Sequence, residues 1–151
     1  MRLRNALVSL GSSLARRRDS KVEAIQAIPT FATCDGDALN AIASMTTELD
    51  LDAGVELAVQ GRRQRQVFVL VEGSAEAVRD GETVAELRRG DPVGELEVVA
   101  GGSPRATVRT TTPTRALVIA DQDFRQLVSE RPAVASALLA AVARREVLCA
   151  A

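Results

Sequence analysis

The chain has 151 residues, 46% of them apolar and 26% charged, and a net charge of −1. That is the profile of one soluble core with appendages, not of two full domains or a disordered chain. Its lack of histidine and its two cysteines exclude a histidine-based triad, a histidine–metal centre, a histidine pH switch and a tetrahedral thiolate zinc site. No catalytic residue and no metal ligand is therefore assigned, and the chain is not read as an enzyme; a metal-dependent jelly-roll oxygenase, the nearest enzymatic alternative, wants histidines. Cys34 and Cys149 lie far apart without motif spacing and read as free structural thiols of a reducing, cytoplasmic compartment. With Phe31, Phe68 and Phe124 as its only aromatics, the core must rest on Val, Leu, Ile and Ala.

In chain order the first element is the leader "MRLRNALVSLGSSLARRRDSK", which carries a charge of +5 and leaves −6 on the rest of the chain. Leu3, Leu7, Leu10 and Leu14 form one stripe of a short amphipathic helix that Gly11-Ser12-Ser13 weakens in the middle. Its apolar run is too short for a secretory signal, and "RRR" follows that run where a cleavage site would stand. Residues 1–21 are thus expected to form a basic leader that docks to a partner protein or a membrane surface, or else frays. Residues 21–28 and 36–45 read as two short helices around Pro29, the second capped by Asp35.

From Thr46 to Ala120 the period changes to that of strands: "ELDLD", "VELAVQ", "VFVLVEG", "SAEAVRD", "TVAELRR", "ATVRT" and "RALVIAD". Turn signals at Gly54, Gly61, Gly73, Asp80-Gly81, Gly90 and Pro113 separate them at the spacing of a sandwich or barrel, with Asp80-Gly81 the clearest hairpin turn. Beyond Asp121 the helical period returns, first around 124–129 and then, after a break at Pro132, in Val134, Leu138 and Val142 stepping by four. Pro132 is either a hinge or an ordinary proline in the first turn of a new helix.

One stretch interrupts the strand series. In "GDPVGELEVVAGGSPRA" (residues 90–106) Gly94 to Ala100 predict a helical turn, and Gly101-Gly102-Ser103-Pro104 then redirect the chain. A glycine-led helix start offers backbone N–H groups to an anion. A nearby arginine supplies a planar fork for a phosphate, and Glu95 suits the hydroxyl of an attached sugar.

The order of elements from about Phe31 to Val142, centred on "EGSAEAVRDGETVAELRRGDPVGELEVVAGGSPRATVRT", resembles the cyclic-nucleotide-binding domain of the catabolite activator proteins and the cyclic-AMP-dependent kinase regulatory subunits. The resemblance covers about three quarters of the chain, with Gly-Glu-Leu at 94–96 matching the opening of the family's phosphate-binding cassette. It implies a mainly β fold with flanking helices: an eight-stranded antiparallel β-roll, jelly-roll-like, with N-terminal helices and a C-terminal lid or dimerisation helix. The segments would be the leader 1–21, the β-roll with its short helices 22–131, and the C-terminal helix 132–151. Carried over by position, the ligand-binding residues would be Gly94, Glu95, Leu96, Arg105 and Ala106. Gly94 and Leu96 would contribute backbone groups, Glu95 would take the ribose 2′-hydroxyl, and Arg105 would hold the cyclic phosphate. The implied ligand is regulatory, cyclic AMP in preference to cyclic GMP, because Ala106 lacks the hydroxyl that guanine-selective relatives place after the arginine. No cofactor is implied. The output would be movement of the C-terminal helix, through which a homodimer is also expected. Transcription-factor relatives carry a DNA-binding domain after that helix, and with the chain ending at Ala151 no direct DNA binding is expected.

Three departures from the family pattern open a second reading, a degenerate domain of the same fold kept as an interaction or assembly subunit. Counted back from Val108, Pro104 occupies the usual arginine position, and Arg105 is one residue late. A one-residue slip in a strand turns a side chain to the other face, so either the glycine pair absorbs it through a bulge or Arg105 points away. Glu97 stands where the family has Ala or Gly beside the phosphate. The C-terminal helix offers no aromatic ring to stack on a purine.

Overall fold

A computed structural model describes residues 20–150, and the amphipathic leader apart from Ser20 and Lys21 lies outside the described residues. Helical residues 20–26 (α1) and a 3₁₀ turn, Pro29–Phe31, lead into α2, Gly36–Met45. The Asp35 side chain accepts a hydrogen bond from the Ala38 N–H at 2.8 Å, the N-cap anticipated from its residue type. The strands follow as β1 (Thr47–Leu51), β2 (Glu56–Ala58), β3 (Gln66–Glu72), β4 (Ala75–Arg79), β5 (Glu82–Leu87) and β6 (Pro92–Val93). The helical turn α3 (Glu95–Ala100) interrupts them before β7 (Thr107–Thr110) and β8 (Thr114–Ala120), and α4 (Asp121–Glu130) and α5 (Pro132–Ala150) close the chain.

The eight strands form two four-stranded antiparallel sheets, ordered β1-β8-β3-β6 and β2-β7-β4-β5, the β-roll that the resemblance implies. The Asp80-Gly81 turn has φ of 51° and 82°, both positive as a two-residue type I′ hairpin requires, and it joins Arg79 to Glu82 in register.

The pattern of β3 shows why the first sheet is a wall between two cores. Val67, Val69 and Val71 point into a cluster built with the helices, whereas Phe68 and Leu70 point into the interior of the roll. Strand β8 divides the same way, Leu117 and Ile119 to the helices and Ala116 and Val118 to the roll. A strand covered on both faces reads as an unbroken apolar run, which is how "VFVLV" and "ALVI" stand in the sequence. In the second sheet only one face is covered, and β4 alternates: Ala75 and Ala77 are buried while Glu76 and Val78 are half-buried.

On the helical side Ile25, Ile28, Phe31, Leu39, Ile42, Phe124 and Leu127 meet Val134 and Leu138 from α5. Each such side chain, when fully buried, contributes about 1.5–3 kcal/mol, so α5 packs back on the roll through the four-residue stripe seen in the sequence. Pro132 begins this helix, which leaves the Arg131 N–H bonded to the Leu127 carbonyl at 2.9 Å and fits a first-turn proline. Helix α4 starts three residues earlier than the apolar pattern suggests, because Asp121 and Asp123 occupy its first turn, where acidic side chains favour the helix start. Cys34 is buried and unbridged, and burial, aided by the Asp35 charge, raises its thiol pKa above 9.0; the Cys149 side chain lies outside the described residues. Among the described residues no helix is long and apolar enough to cross a membrane.

Candidate ligand-binding site

The roll opens on one side into a cleft of about 890 Å³. Its floor is aliphatic: Ala58, Ala77, Leu87 and Val108 come from β2, β4, β5 and β7. Helix α3 forms one wall, with Glu95, Leu96 and Glu97, and the return loop that carries Ser103, Pro104, Arg105 and Ala106 forms the other. Arg79 and Val84, from the β4–β5 hairpin, complete the rim. All five residues expected to bind ligand therefore line one cleft.

The start of α3 is fixed by pairing and by a glycine. Strand β6 pairs with β3 through Phe68 and Val93, and Gly94 then turns the chain with φ of 89°. A Cβ at Gly94 would stand 2.7 Å from the Gln66 carbonyl oxygen and 2.8 Å from Gln64 Cγ, so neither the backbone angle nor the space admits a larger residue. Directly after it Glu95 is buried to 6% exposure, whereas Leu96 is 43% exposed and Glu97 half-buried. At six residues, α3 has little macrodipole to offer an anion. The cations of the rim must supply most of the positive charge.

Strand β7 begins only at Thr107, so Pro104 and Arg105 lie in a bend, where the alternation of strand faces does not apply. Pro104 is buried and Arg105 exposed, and both line the cleft. Their carbonyls are both pinned, Pro104 O by the Gly61 N–H at 3.0 Å and Arg105 O by Arg79 Nε at 3.2 Å. The extra residue in the ladder appears not in the glycine pair but on β2, where Leu57 bulges between Glu56, paired with Arg109, and Ala58, paired with Val108. Among the described residues Arg105 forms no ion pair, with Glu97 or any other acid.

Two rim residues were not anticipated. Arg79 belongs to the face of β4 that carries Ala75 and Ala77, at the end of the strand where the roll opens. Val84, 37% exposed, sits on β5 where the β4–β5 register shifts between Ala77–Ala85 and Val78–Thr83. Alternation along β4 could have placed Arg79; nothing in the sequence marks the bulge at Val84.

Behind α3 the site is wired to the helices. Val98 is 1% exposed in the same cluster as Phe124, Leu127, Val134 and Leu138, and its carbonyl accepts a hydrogen bond from Arg125 Nε at 3.2 Å. Arg125 is braced in turn by Asp121 at 3.8 Å. A displacement of α3 would therefore reach α4 and α5 through packed side chains and a hydrogen bond.

The cyclic nucleotide-binding domain family matches residues 48–131 of the chain. An uncharacterised NTE family protein of Mycobacterium tuberculosis is 28% identical over 130 residues, which make up 85% of this chain and 22% of that protein, so the chain spans about a fifth of that relative's length. Among solved structures, the regulatory domain of Toxoplasma gondii protein kinase A with cyclic AMP superposes with a TM-score of 0.72 at 19% identity, over 88% of this chain and 52% of that one. The regulatory subunit of a cyclic-AMP-independent protein kinase A from Trypanosoma brucei superposes with a TM-score of 0.73 at 22% identity, over 83% and 46% respectively. A two-sheet roll, a cassette opening at Gly94-Glu95-Leu96 and a family match over more than half of its length agree: this chain belongs to the cyclic nucleotide-binding domain family.

Proposed function

We propose that this chain is a cytoplasmic regulatory module that binds cyclic AMP in preference to cyclic GMP and passes occupancy to α5. The observation that carries this reading is the meeting, across one cleft, of buried Glu95 at the start of α3 and exposed Arg105 on the return loop. Glu95 accepts the ribose hydroxyl and Arg105 donates to the phosphate oxygens, the two roles that an acceptor-only carboxylate and a guanidinium fork fit. Ala106, half-buried beside the arginine, offers no hydroxyl to a guanine, and Val84 and Leu96 give the base an aliphatic face. Occupancy draws on α3, and the Val98–Arg125 link carries the shift to α4 and α5. The exposed side of α5 suits a second copy, and the basic leader suits a partner protein or a membrane surface. Calorimetric titration with both nucleotides tests the reading: binding of cyclic AMP tighter than cyclic GMP is expected, and no binding of either by wild type and by Glu97→Ala at millimolar concentration overturns it.

The degenerate-domain reading keeps one specific support, since Glu97 lines the cleft where an anion would sit. The Trypanosoma brucei neighbour, whose protein kinase A is described as cyclic-AMP-independent, shares this fold. Under this reading Glu97→Ala also fails to bind.

A further inference from the structure

We propose that Arg79 is the second cation of the site: it holds the loop that presents Arg105, and its charge offsets the negative charge that Glu97 brings to the cleft. The inference rests on the cyclic-nucleotide reading above and names a residue that the cassette motif does not contain.

Three observations converge on Arg79. The first is its place. It follows Ala75 and Ala77 on the inward face of β4 and stands at the open end, on the rim of the cleft. The second is its bonding. Nε donates to the Arg105 carbonyl at 3.2 Å, and among the described residues its terminal nitrogens enter no ion pair and no hydrogen bond. Asp80, the acid next to it, is engaged by Gln60 Nε2 at 3.2 Å and does not claim the guanidinium. The third is charge. Among the described residues the charged ones that line the cleft are Arg79, Glu95, Glu97 and Arg105. With Arg79 present these four charges balance; without it they sum to −1, which disfavours a phosphodiester. A guanidinium that spends one N–H on a backbone carbonyl keeps four for a ligand oxygen, so one side chain can serve both purposes.

The two contributions separate experimentally. Cyclic AMP is titrated calorimetrically into wild type, Arg79→Ala, Arg79→Lys, Glu97→Ala and the Arg79→Ala/Glu97→Ala double variant, at salt concentrations on the order of 0.02 M and 0.5 M. Arg79→Ala should weaken binding by about tenfold or more at low salt, roughly the worth of one charge-assisted hydrogen bond, and by less at high salt, where the electrostatic part is screened. Arg79→Lys restores the charge without the fork and should fall between wild type and Arg79→Ala. The double variant should recover most of the loss, because the charge that Arg79 offsets is gone. Arg79 is exposed, so thermal unfolding should be unchanged, and Arg79→Lys keeps the comparison open if Arg79→Ala is less stable. Wild-type binding with Arg79→Ala within about twofold at both salts overturns the assignment and leaves the cyclic-nucleotide reading standing, as does a tenfold loss that salt and Glu97→Ala leave unchanged. No binding by wild type or Glu97→Ala overturns both.

Discussion

Under the proposed function Glu97 and Arg105, which both line the cleft, would act on a bound phosphate with opposite signs and comparable magnitudes. A charge-assisted hydrogen bond from Arg105 is worth about 1.5–3 kcal/mol, while a carboxylate about 6 Å from the phosphate at an effective dielectric near 20 opposes it by about 2–3 kcal/mol before screening. Arg105→Ala should therefore weaken cyclic AMP binding by about tenfold to a hundredfold, and Glu97→Ala should tighten it by up to a similar factor; calorimetry on each variant checks both. Neither effect should alter thermal stability, since Arg105 is exposed and Glu97 half-buried. At this scale the sequence was readable where geometry is local. Gly94 stands at the head of α3 because a positive φ and a crowded Cβ admit no larger residue there. The place of Arg105 could not be read, because the slip relative to Val108 matters only if the residue lies in a strand, and where β7 begins depends on its pairing with β2 and β4.

Lys21 shows how one side chain joins two elements. Its ammonium donates to the Ala43 carbonyl at 2.7 Å and to the Thr46 carbonyl, at the C-terminal end of α2, where carbonyls lack helical partners and a cation is favoured. Lys21→Met should lower stability by about 1–2 kcal/mol, less than two charged hydrogen bonds are worth in full because the side chain is only half-buried, measured by urea unfolding. Partial burial lowers the Lys21 pKa, against the opposing pull of Glu48. The folded state then releases this proton before the unfolded state does, so Lys21's own contribution to stability rises as pH climbs toward 10.5, a slope that Lys21→Met should remove. As elements, seven of the eight strands and the helices from residue 20 onward correspond to periods visible in the sequence. Strand β6 does not, because two residues, one of them proline, show no alternation; it exists through its pairing with Phe68 and Val69 on β3. The first turn of α4 was missed for a related reason, since Asp121 to Asp123 signal a helix start by charge and the apolar period begins only at Phe124.

For the molecule as a whole, α5 presents two neighbouring leucines to two different environments. Leu138 is 4% exposed among Val134, Phe124 and Leu127, and Leu139 is 61% exposed on the outer side, near the exposed Ser136, Ala140 and Ala143. A period of four places Leu138 on the inner stripe, and the sequence alone left undecided whether that stripe meets the roll or a second copy. It meets the roll, so a charge at Leu138 would disrupt the core and could not report on association. Leu139 is the residue that separates the alternatives. Leu138→Ala should cost about 2–5 kcal/mol, the range for emptying a well-packed leucine site, and should lower the unfolding midpoint at every protein concentration. Leu139→Glu should leave the stability of an isolated protomer within about 0.5 kcal/mol of wild type, as for a surface substitution. If two copies pair along the outer side of α5, wild type should scatter light as a dimer and Leu139→Glu as a monomer, because a carboxylate buried in an apolar contact has no partner there. The wild-type unfolding midpoint should then rise with concentration and that of Leu139→Glu should not. Equal masses for the two proteins would remove the homodimer from this face of α5, while a loss of stability for Leu138→Ala alone would leave α5 as a helix held by the roll.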